Sequence, residues 1–317
     1  MPIDAPRPRL PEQAHVVILV NPAARGTHDR EAIARAAKIL EHRYRVETVT
    51  PATIAELGAA AREAEAGRDA IVIAGGDGTI HRVINALGGS RVPVGLLPLG
   101  TGNDLARALG VPRAHEAAAD CIVAGRHRRI DLVEMNGQLF CTVGVLGVAA
   151  DSALTYNRLL SPHSWTRPAM RLLGGGAYRL AGLRAMLRPG SLRRRLRIVP
   201  GSDAAGPSVA PEAVLAVFVT NARMLGSGMT LPIDADMADG HLELVWVPPL
   251  SRPRLLWAFL CLANGWRIPD GVIGSVRAER GVITSDRPIE FAADGELMCE
   301  GTRFDVAVKP GALDVIC

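Results

Sequence analysis

Aromatic residues are scarce in this chain: Phe, Trp and Tyr together make up 4% of its 317 residues. Hydrophobic residues nevertheless account for 48% of the sequence, so we expect a sizeable core that Leu, Val, Ile and Ala must fill. A nucleic-acid-binding surface combines basic residues with interleaved aromatic rings, and the sequence contains neither that pattern nor a recognisable binding module. We therefore expect no nucleic-acid partner.

Paired cysteines are also missing. The five cysteines are odd in number and scattered, and none of them forms a CxxC pair. This arrangement excludes a disulfide framework and a cysteine-based zinc site, and it is typical of reduced thiols in a cytoplasmic protein.

The sequence also lacks any long apolar run. The first one, residues 16–20, is too short for a signal-peptide core, which needs roughly 7–15 apolar residues. The longest apolar helix candidate, residues 255–263, is well short of the ~20 residues that span a bilayer. We expect a cytoplasmic protein whose contact with membranes is at most peripheral.

Acidic residues are absent between positions 152 and 202, although the net charge of the whole chain is only +4. This basic segment carries ten arginines, together with four leucines at the spacing of one helix face. Such a pattern is typical of contact with an anionic membrane surface, which we expect as a partner. The alternative is a solvated basic face, because a chain with only two lysines uses arginine as its general cation. The arginines are Arg158, Arg167, Arg171, Arg179, Arg184, Arg188, Arg193, Arg194, Arg195 and Arg197; the leucines are Leu173, Leu180, Leu183 and Leu187.

Strands and helices alternate along the first part of the chain. Four apolar runs predict strands, at residues 15–20, 44–50, 70–74 and 92–97, and each is followed by a helix-like run. This order predicts an α/β fold with a mostly parallel sheet covered by helices. From residue 127 onwards, short strand candidates predict a second, antiparallel β-rich domain. Two of them, at residues 129–135 and 139–148, flank the hairpin turn signal Asn136-Gly137. We place the domains at residues 1–126 and 127–309.

A glycine-rich loop, Gly75-Gly76-Asp77-Gly78-Thr79, lies between a predicted strand and a predicted helix at residues 80–87. Glycines let the backbone approach a ligand closely, and the free N–H groups at a helix start favour an anion. A carboxylate such as Asp77 would repel phosphates unless it serves a metal ion or a substrate hydroxyl. The loop therefore predicts phosphoryl transfer, whereas the alternative is a tight turn that happens to be rich in glycine.

Two further polar loops follow predicted strands of the same sheet. One is Asn21-Pro22-Ala23-Ala24-Arg25-Gly26, and the other is Gly100-Thr101-Gly102-Asn103-Asp104. Three such loops at the same end of parallel strands form a crevice, which is where open α/β sheets bind ligands.

These motifs resemble the lipid kinase family that includes diacylglycerol, sphingosine and ceramide kinases, in its compact bacterial form. The resemblance extends to Asn221, Asp239-Gly240 and Asp294-Gly295-Glu296. It implies a diacylglycerol-kinase-like fold related to NAD kinase, in which residues 310–317 return to the first domain. It also implies an ATP-dependent kinase that uses Mg²⁺ and phosphorylates a lipid hydroxyl. The sequence departs from the family pattern at Arg25, Thr142, Pro232 and Ala238.

The resemblance also implies roles for individual residues. Glu296 is the expected general base, and Asp77 either shares that task or holds Mg²⁺ through water. Glu296 follows a predicted strand and the Asp294-Gly295 turn, where the alternative is a hairpin turn with surface acids. A structural Mg²⁺ is expected at Asp236, Asp239 and the backbone carbonyl of His241, although a solvated acidic turn remains the alternative because position 238 is alanine. For Thr50 the alternative is an ordinary threonine at a strand end, and for His81 it is a helix residue near the nucleotide. The expected nucleotide-binding residues are Asn21, Pro22, Gly26, Thr50, Gly75, Gly76, Asp77, Gly78, Thr79, Ile80, His81, Thr101, Asn103 and Asp104.

Two other functions remain open. NAD kinases share the GGDGT loop, but they carry an Asn-Glu pair that is absent from this sequence. A catalytically silent protein that senses nucleotide at a membrane surface is the second alternative, and the presence of Asp77 and Glu296 argues against it. Diacylglycerol is the first candidate acceptor, while sphingosine, ceramide and phosphatidylglycerol stay open. The oligomeric state, including a homodimer, stays open as well.

Overall fold

The computed structural model describes residues 9–22, 27–160, 180–184, 194–201, 206–225 and 229–317. The chain divides into two compact units. Unit 1 comprises Met1–Leu132 together with Pro310–Cys317, and unit 2 comprises Val133–Lys309. Within the described residues, every helix is too short or too polar to cross a bilayer.

Unit 1 is built on a parallel sheet, which ends with the last residues of a long C-terminal strand. The strands in sheet order are β2 (Arg45–Val49), β1 (His15–Val20), β3 (Ala70–Gly75), β4 (Val94–Pro98) and the end of β16 (Glu296–Ile316). Its central strands are fully buried runs of Val, Ile and Leu, as expected for a parallel sheet covered on both faces. The chain returns to this sheet at its C-terminus, where Val315 pairs with Val94. The elements in chain order are β1 (His15–Val20), α1 (Thr27–Glu41), β2 (Arg45–Val49), α2 (Ile54–Gly67), β3 (Ala70–Gly75), α3 (Asp77–Leu87), β4 (Val94–Pro98), α4 (Asp104–Ala108) and α5 (His115–Ala124).

Unit 2 is an antiparallel β-rich body. Its strands in sheet order are β14 (Gly274–Ala278), β13 (Leu242–Val247), β10 (Ala216–Thr220), β7 (Val143–Gly147), β15 (Arg280–Ala293) and β16. A further strand, β8 (Arg194–Pro200), pairs with both β15 and β9 (Ala213–Val214). A short helical stretch also occurs at residues 180–184. The elements in chain order are β5 (His127–Met135), which begins in unit 1, β6 (Gln138–Phe140), β7 (Val143–Gly147), α6 (Val148–Leu160), β8 (Arg194–Pro200), β9 (Ala213–Val214), β10 (Ala216–Thr220), β11 (Met224–Leu225), β12 (Met229–Thr230), β13 (Leu242–Val247), α7 (Arg252–Asn264), β14 (Gly274–Ala278), β15 (Arg280–Ala293) and β16 (Glu296–Ile316).

Three phenylalanine rings form a cluster in the core of unit 2. Phe140, Phe291 and Phe304 are fully buried, and their ring centroids lie 5.8 Å (Phe140 to Phe291) and 6.1 Å (Phe291 to Phe304) apart. Gly144 makes room for them, because a Cβ at this position would overlap the Phe291 ring. Aliphatic side chains fill the remainder of the core, as the composition predicts.

The predicted fold class is confirmed, with a parallel N-terminal sheet and an antiparallel β-rich second part. One local prediction is wrong: the strand expected over residues 139–148 is interrupted at Cys141 and Thr142, and α6 begins where that strand was expected to end. Most of the basic segment, including Leu173 and Leu187, lies outside the described residues.

Candidate active site

The glycine-rich loop of unit 1 joins β3 directly to α3. Gly75 is the last residue of β3, and Gly76 caps a helix that begins at Asp77, earlier than the sequence predicts. A Cβ on Gly75 would overlap the Thr79 side chain, and one on Gly76 would lie 3.0 Å from the Gly100 Cα atom. The backbone is therefore bare of side chains at the helix N-terminus, where free N–H groups and the helix dipole favour an anion.

The loop before α4 packs against this glycine loop, backbone against backbone. The Leu99 N–H donates to the Gly75 carbonyl at 2.9 Å. Asn103 is buried in the left-handed conformation (φ 52°), and its side-chain amide bonds Gly100 twice. Its Oδ1 accepts from the Gly100 N–H at 2.9 Å, and its Nδ2 donates to the Gly100 carbonyl at 2.7 Å. Asn103 thus fixes the loop shape, a role its assignment to nucleotide binding did not anticipate.

The Asp77 carboxylate connects the two loops. Its Oδ1 accepts a hydrogen bond from the Asp104 backbone N–H at 2.7 Å. A Cβ on Gly102 would lie 2.6 Å from Asp77 Oδ2 and 3.7 and 3.8 Å from the two carboxylate oxygens of Asp104. Two carboxylates therefore converge on a position that only glycine leaves open. Such oxygen donors fit a Mg²⁺ ion that enters together with phosphates.

The third predicted loop joins the same cluster through Asn21. Its Nδ2 donates to Thr79 Oγ1 at 2.7 Å, and its backbone N–H donates to the Ala74 carbonyl at 3.0 Å. Thr79 is buried, and Pro22 is buried beside Asn21 in sequence. The structure thus brings together the beginnings of all three predicted loops, whereas Gly26 lies outside the described residues.

Thr50 lines a separate part of unit 1. Together with Arg30, Thr48 and Val20, it borders an open cavity of about 510 Å³ at the end of β2. Val20, which borders this cavity, immediately precedes Asn21 in the sequence. The cavity therefore lies next to the cluster of three loops.

Three other residues predicted to bind the nucleotide differ in which of their groups can contact it. The Ile80 side chain is buried in the core, so only its backbone can contact a ligand. The His81 carbonyl accepts from the Asn85 side-chain amide at 2.9 Å, which is an interaction within α3. Thr101 is exposed at the rim of its loop and is available to a phosphate oxygen.

Glu296, the predicted base, follows the tight turn between β15 and β16 of unit 2. Asp294 (φ 48°) and Gly295 (φ 82°) both adopt positive φ, and Ala293 pairs with Glu296 across the turn. This is the two-residue type I′ hairpin for which Asp-Gly is a strong signal. Glu296 itself is half-buried at the first position of β16.

Asp294 anchors this hairpin. Its buried carboxylate accepts hydrogen bonds from the Cys141 N–H at 2.9 Å, the Thr142 N–H at 3.0 Å and the Thr142 hydroxyl at 2.7 Å. The Asn221 Nδ2 donates to the Cys141 carbonyl at 2.8 Å. These bonds explain why the strand predicted over residues 139–148 is broken. The sequence predicted the turn but not this anchor, because the partners lie about 150 residues away along the chain.

The expected structural Mg²⁺ residues form a turn that already has other partners. Asp236 Oδ1 accepts from the Ala238 N–H at 3.1 Å, and Asp239 Oδ1 accepts from the His241 N–H at 2.8 Å. Asp239 Oδ2 accepts from the Arg277 guanidinium at 2.7 Å. Among the described residues there is no cluster of three or more His, Cys, Asp or Glu that could hold a metal.

This turn fits a divalent cation poorly. A guanidinium already neutralises Asp239, and Ala238 supplies no carboxylate. Burial raises the pKa of the nearby Glu243 carboxyl, and the positive charge of Arg277 offsets this effect only in part. The assignment of a metal to Asp236, Asp239 and His241 stays a prediction.

Unit 2 also encloses an apolar cavity of about 100 Å³. It lies between α6 and α7, and its lining is almost entirely hydrophobic. Val148 and Ser152 contribute from α6, Leu255 and Phe259 from α7, and Phe218 from β10. An apolar group such as an acyl chain fits this chemistry.

Comparisons with known proteins agree with this organisation. Residues 15–135 match the model of the diacylglycerol kinase catalytic domain, and residues 166–317 match that of the YegS C-terminal NAD kinase beta sandwich-like domain. The chain is 31% identical over 256 residues to the diacylglycerol kinase of Mycobacterium tuberculosis, covering 79% of this chain and 77% of that protein. It is 32% identical over 258 residues to a probable YegS-like lipid kinase of Pseudomonas aeruginosa, with the same coverage of both chains.

The fold resembles that of a solved structure from Bacillus anthracis, described as a putative diacylglycerol kinase. The TM-score is 0.77 at 20% sequence identity, and the match covers 98% of this chain and 96% of that one. At this level of identity the likeness concerns the fold alone.

Proposed function

This chain belongs to the diacylglycerol kinase family of lipid kinases, and from that premise we propose that it transfers the γ-phosphoryl group of ATP to a lipid hydroxyl. Diacylglycerol is the first candidate acceptor. The observation that carries the proposal is the placement of Asp77, whose carboxylate faces Asp104 across the bare Gly102 position. Two convergent carboxylates beside a phosphate loop fit a Mg²⁺ ion on the phosphates, which phosphoryl transfer requires.

On the phosphate side, the N-terminus of α3 receives the phosphoryl donor. The bare Gly75-Gly76 backbone and the first N–H groups of the helix hold the phosphate oxygens. Thr101 donates its hydroxyl from the neighbouring loop, and the cavity beside Thr50 accepts the nucleoside. Asn103 keeps the loop at Gly100 in the shape that this binding needs.

Asp77 and Asp104 would hold Mg²⁺ on the nucleotide, directly or through water. When bound, Mg²⁺ neutralises the charge that develops on the β- and γ-phosphate oxygens. The Asp104 N–H fixes the Asp77 carboxylate in one orientation, so its second oxygen stays directed towards Gly102.

Glu296 accepts the proton of the lipid hydroxyl as that oxygen attacks the γ-phosphorus. The rigid type I′ turn and the buried Asp294 anchor hold its backbone, so little ordering is required before proton transfer. A positioned general base of this kind contributes roughly 10²- to 10⁴-fold to the rate.

The apolar cavity between α6 and α7 supports a lipid acceptor. Its lining offers contact to hydrocarbon and very few polar groups, which matches an acyl chain better than a sugar or a dinucleotide. Interchangeable apolar residues recognise chains by length and shape, so the cavity alone does not select among diacylglycerol, sphingosine, ceramide and phosphatidylglycerol.

The experiment that tests this function measures ADP release by the purified protein with Mg²⁺ and ATP. Each candidate lipid is supplied in detergent micelles, and NAD and buffer alone are supplied in parallel. We expect ADP release to require a lipid acceptor, with diacylglycerol giving the highest rate. Release that requires NAD would assign the chain to dinucleotide phosphorylation, and no release with any acceptor would favour the catalytically silent nucleotide sensor.

A further inference from the structure

Helix α7 exposes an unusual apolar surface. Leu256, Trp257 and Leu260 are exposed on one face of the helix, and Trp266 is exposed just beyond its end; we call these four residues the α7 patch. The two tryptophan side chains are 51% and 56% exposed. The patch holds half of the large hydrophobic side chains that are exposed among the described residues. Contiguous exposure of this kind marks an interaction surface.

The backbone holds Trp266 on the outside. Gly265 ends α7 in the left-handed conformation (φ 69°), the Trp266 N–H donates to the Cys261 carbonyl at 2.8 Å, and the Gly265 N–H donates to Leu262. This is a Schellman motif, in which the residue after the glycine usually packs back onto the helix. Here the Trp266 ring lies beside Trp257, with the ring centroids 6.0 Å apart. Two of the four tryptophans of an aromatic-poor chain thus form one exposed pair.

The charge around the patch is positive. Residues 244–270 contain three arginines and a single acidic residue, Asp270. Arg252, Arg254 and Arg267 are all exposed. Asp270 is itself almost fully exposed, 3.6 Å from the Arg267 guanidinium, so solvent screens this pair strongly. The rim of the patch therefore favours an anionic partner.

A polar cavity of about 340 Å³ adjoins the tryptophan pair. Trp266 forms part of its wall, together with Arg223, Thr230 and Arg267. Guanidinium groups bind phosphate oxygens in bidentate geometry, so this cavity suits a phosphate group that lies level with the indole rings.

We propose that the α7 patch docks on the interfacial layer of an anionic phospholipid bilayer. Tryptophan is enriched at that layer because its ring is apolar while its N–H group stays hydrated. Arginines beside the rings then meet the anionic headgroups, and Leu256 and Leu260 reach the acyl boundary. Charge complementarity and the arginine-lined polar cavity favour a bilayer over a second copy of this chain, whose matching surface would carry the same positive charge.

The opposite face of α7 links this surface to the proposed lipid site. Leu255, Ala258 and Leu262 face inwards and line the apolar cavity, so one helix separates that cavity from the docked surface. A lipid substrate would then reach the cavity without crossing water. The docking proposal rests on the proposed function only for this advantage, and vesicle binding is measured without ATP or acceptor.

The test compares sedimentation with vesicles of phosphatidylcholine alone and of phosphatidylcholine with phosphatidylglycerol. Changing Trp257 and Trp266 together to Gln should weaken binding to the mixed vesicles about tenfold or more, because two half-exposed rings lose their apolar contact. Changing Leu256 and Leu260 to Gln is a second variant of the same surface. The matched control changes Ile54 and Val209 to Gln, which removes equally exposed apolar side chains elsewhere and should leave binding unchanged.

The charge contribution is tested with Arg252, Arg254 and Arg267 changed to Gln. Each arginine near an anionic surface contributes about fivefold, so binding to mixed vesicles should fall by about 100-fold at low salt, and binding to neutral vesicles should not change. The matched control changes three exposed arginines elsewhere, Arg62, Arg280 and Arg287, to Gln and should weaken binding far less.

Two further measurements complete the design. In the wild type, acyl-brominated lipids should quench tryptophan fluorescence, and changing both patch tryptophans to Phe should remove most of that quenching. Activity on lipid dispersed in detergent micelles should survive in every patch variant, which separates docking from catalysis. Equal vesicle binding by the wild type and both apolar variants would overturn the proposal. A different result would assign the patch to contact between copies of this chain: the wild type self-associates but does not bind vesicles, and the tryptophan variant no longer self-associates.

Discussion

The carboxylate of Asp77 accepts a 2.7 Å hydrogen bond from the backbone N–H of Asp104, across 27 residues of chain. This bond joins the glycine loop after β3 to the loop before α4. One oxygen of Asp77 is used in holding the two loops together, while the other points towards Gly102. Substitution of Asp77 can therefore distinguish its role in joining the loops from its role in catalysis.

Asp77→Asn should keep the hydrogen bond and remove the charge, because the amide oxygen still accepts from the Asp104 N–H. We expect the thermal midpoint to stay near the wild-type value and turnover to fall about 100-fold. Asp77→Ala should lose both, with a further loss of about 1–3 kcal/mol in unfolding free energy from the unpaired N–H group. Calorimetry and steady-state kinetics measure the two effects. Full activity in Asp77→Asn would show that Asp77 only holds the two loops together and takes no part in catalysis.

Gly102→Ala should displace the Asp77 carboxylate, because the added Cβ would lie 2.6 Å from its Oδ2. We expect weaker binding of Mg²⁺–ATP and lower turnover with little change in stability. Gly67→Ala is the matched control, since a Cβ there meets nothing within 4 Å. Isothermal titration with Mg²⁺–ATP compares the two, and similar affinities in both variants would show that the position beside Asp77 is not used.

Gly76→Val should abolish nucleotide binding, because the branched side chain would occupy the phosphate position. The structure adds a second effect: a Cβ at this position already lies 3.0 Å from Gly100 Cα, so the two loops must also move apart. We expect a lower thermal midpoint together with the loss of ATP binding. Unchanged ATP affinity would mean that the loop is only a turn.

Thr142→Val should loosen the hairpin that carries Glu296. It removes the hydroxyl that donates to the buried Asp294 carboxylate at 2.7 Å, a bond to a charged group worth roughly 1.5–3 kcal/mol. Thr142→Ser keeps the donor and serves as the control. Urea unfolding should show the loss in the Val variant only, and its turnover should fall more than its ATP affinity. If Thr142→Val is clearly destabilised but keeps the wild-type turnover, the Asp294 anchor stabilises the fold without contributing to catalysis.

Much of the first unit could be predicted because its signals are local. Glycines and apolar runs mark the change from β3 to α3, and the same signals place the loops at Asn21 and Gly100. Parallel strands then bring those loops to one edge of the sheet. The earlier start of α3 at Asp77 was missed because glycine is a poor helix former, so Gly78 favoured a helix start further along the chain.

The features that the sequence did not predict depend on contacts distant along the chain. The Asp294 carboxylate is held by the backbone N–H groups of Cys141 and Thr142. No local sequence pattern shows that these two N–H groups bond a side chain instead of a neighbouring strand. The Arg277 guanidinium on Asp239 is likewise visible only once β13 and β14 pair. The α7 patch was overlooked because an apolar helix suggests burial, and only the structure shows which face stays exposed.

The central claim is that Glu296 deprotonates a lipid hydroxyl that attacks ATP. The most direct test of this claim measures the transfer of phosphate from ATP to the lipid. Wild type and Glu296→Gln are incubated with γ-labelled ATP, Mg²⁺ and diacylglycerol in detergent micelles, and label is counted in the extracted lipid. We expect the wild type to label the lipid and Glu296→Gln to do so roughly 10²- to 10⁴-fold more slowly, with ATP affinity unchanged. Equal labelling by both proteins, or label that never enters the lipid, would contradict the account.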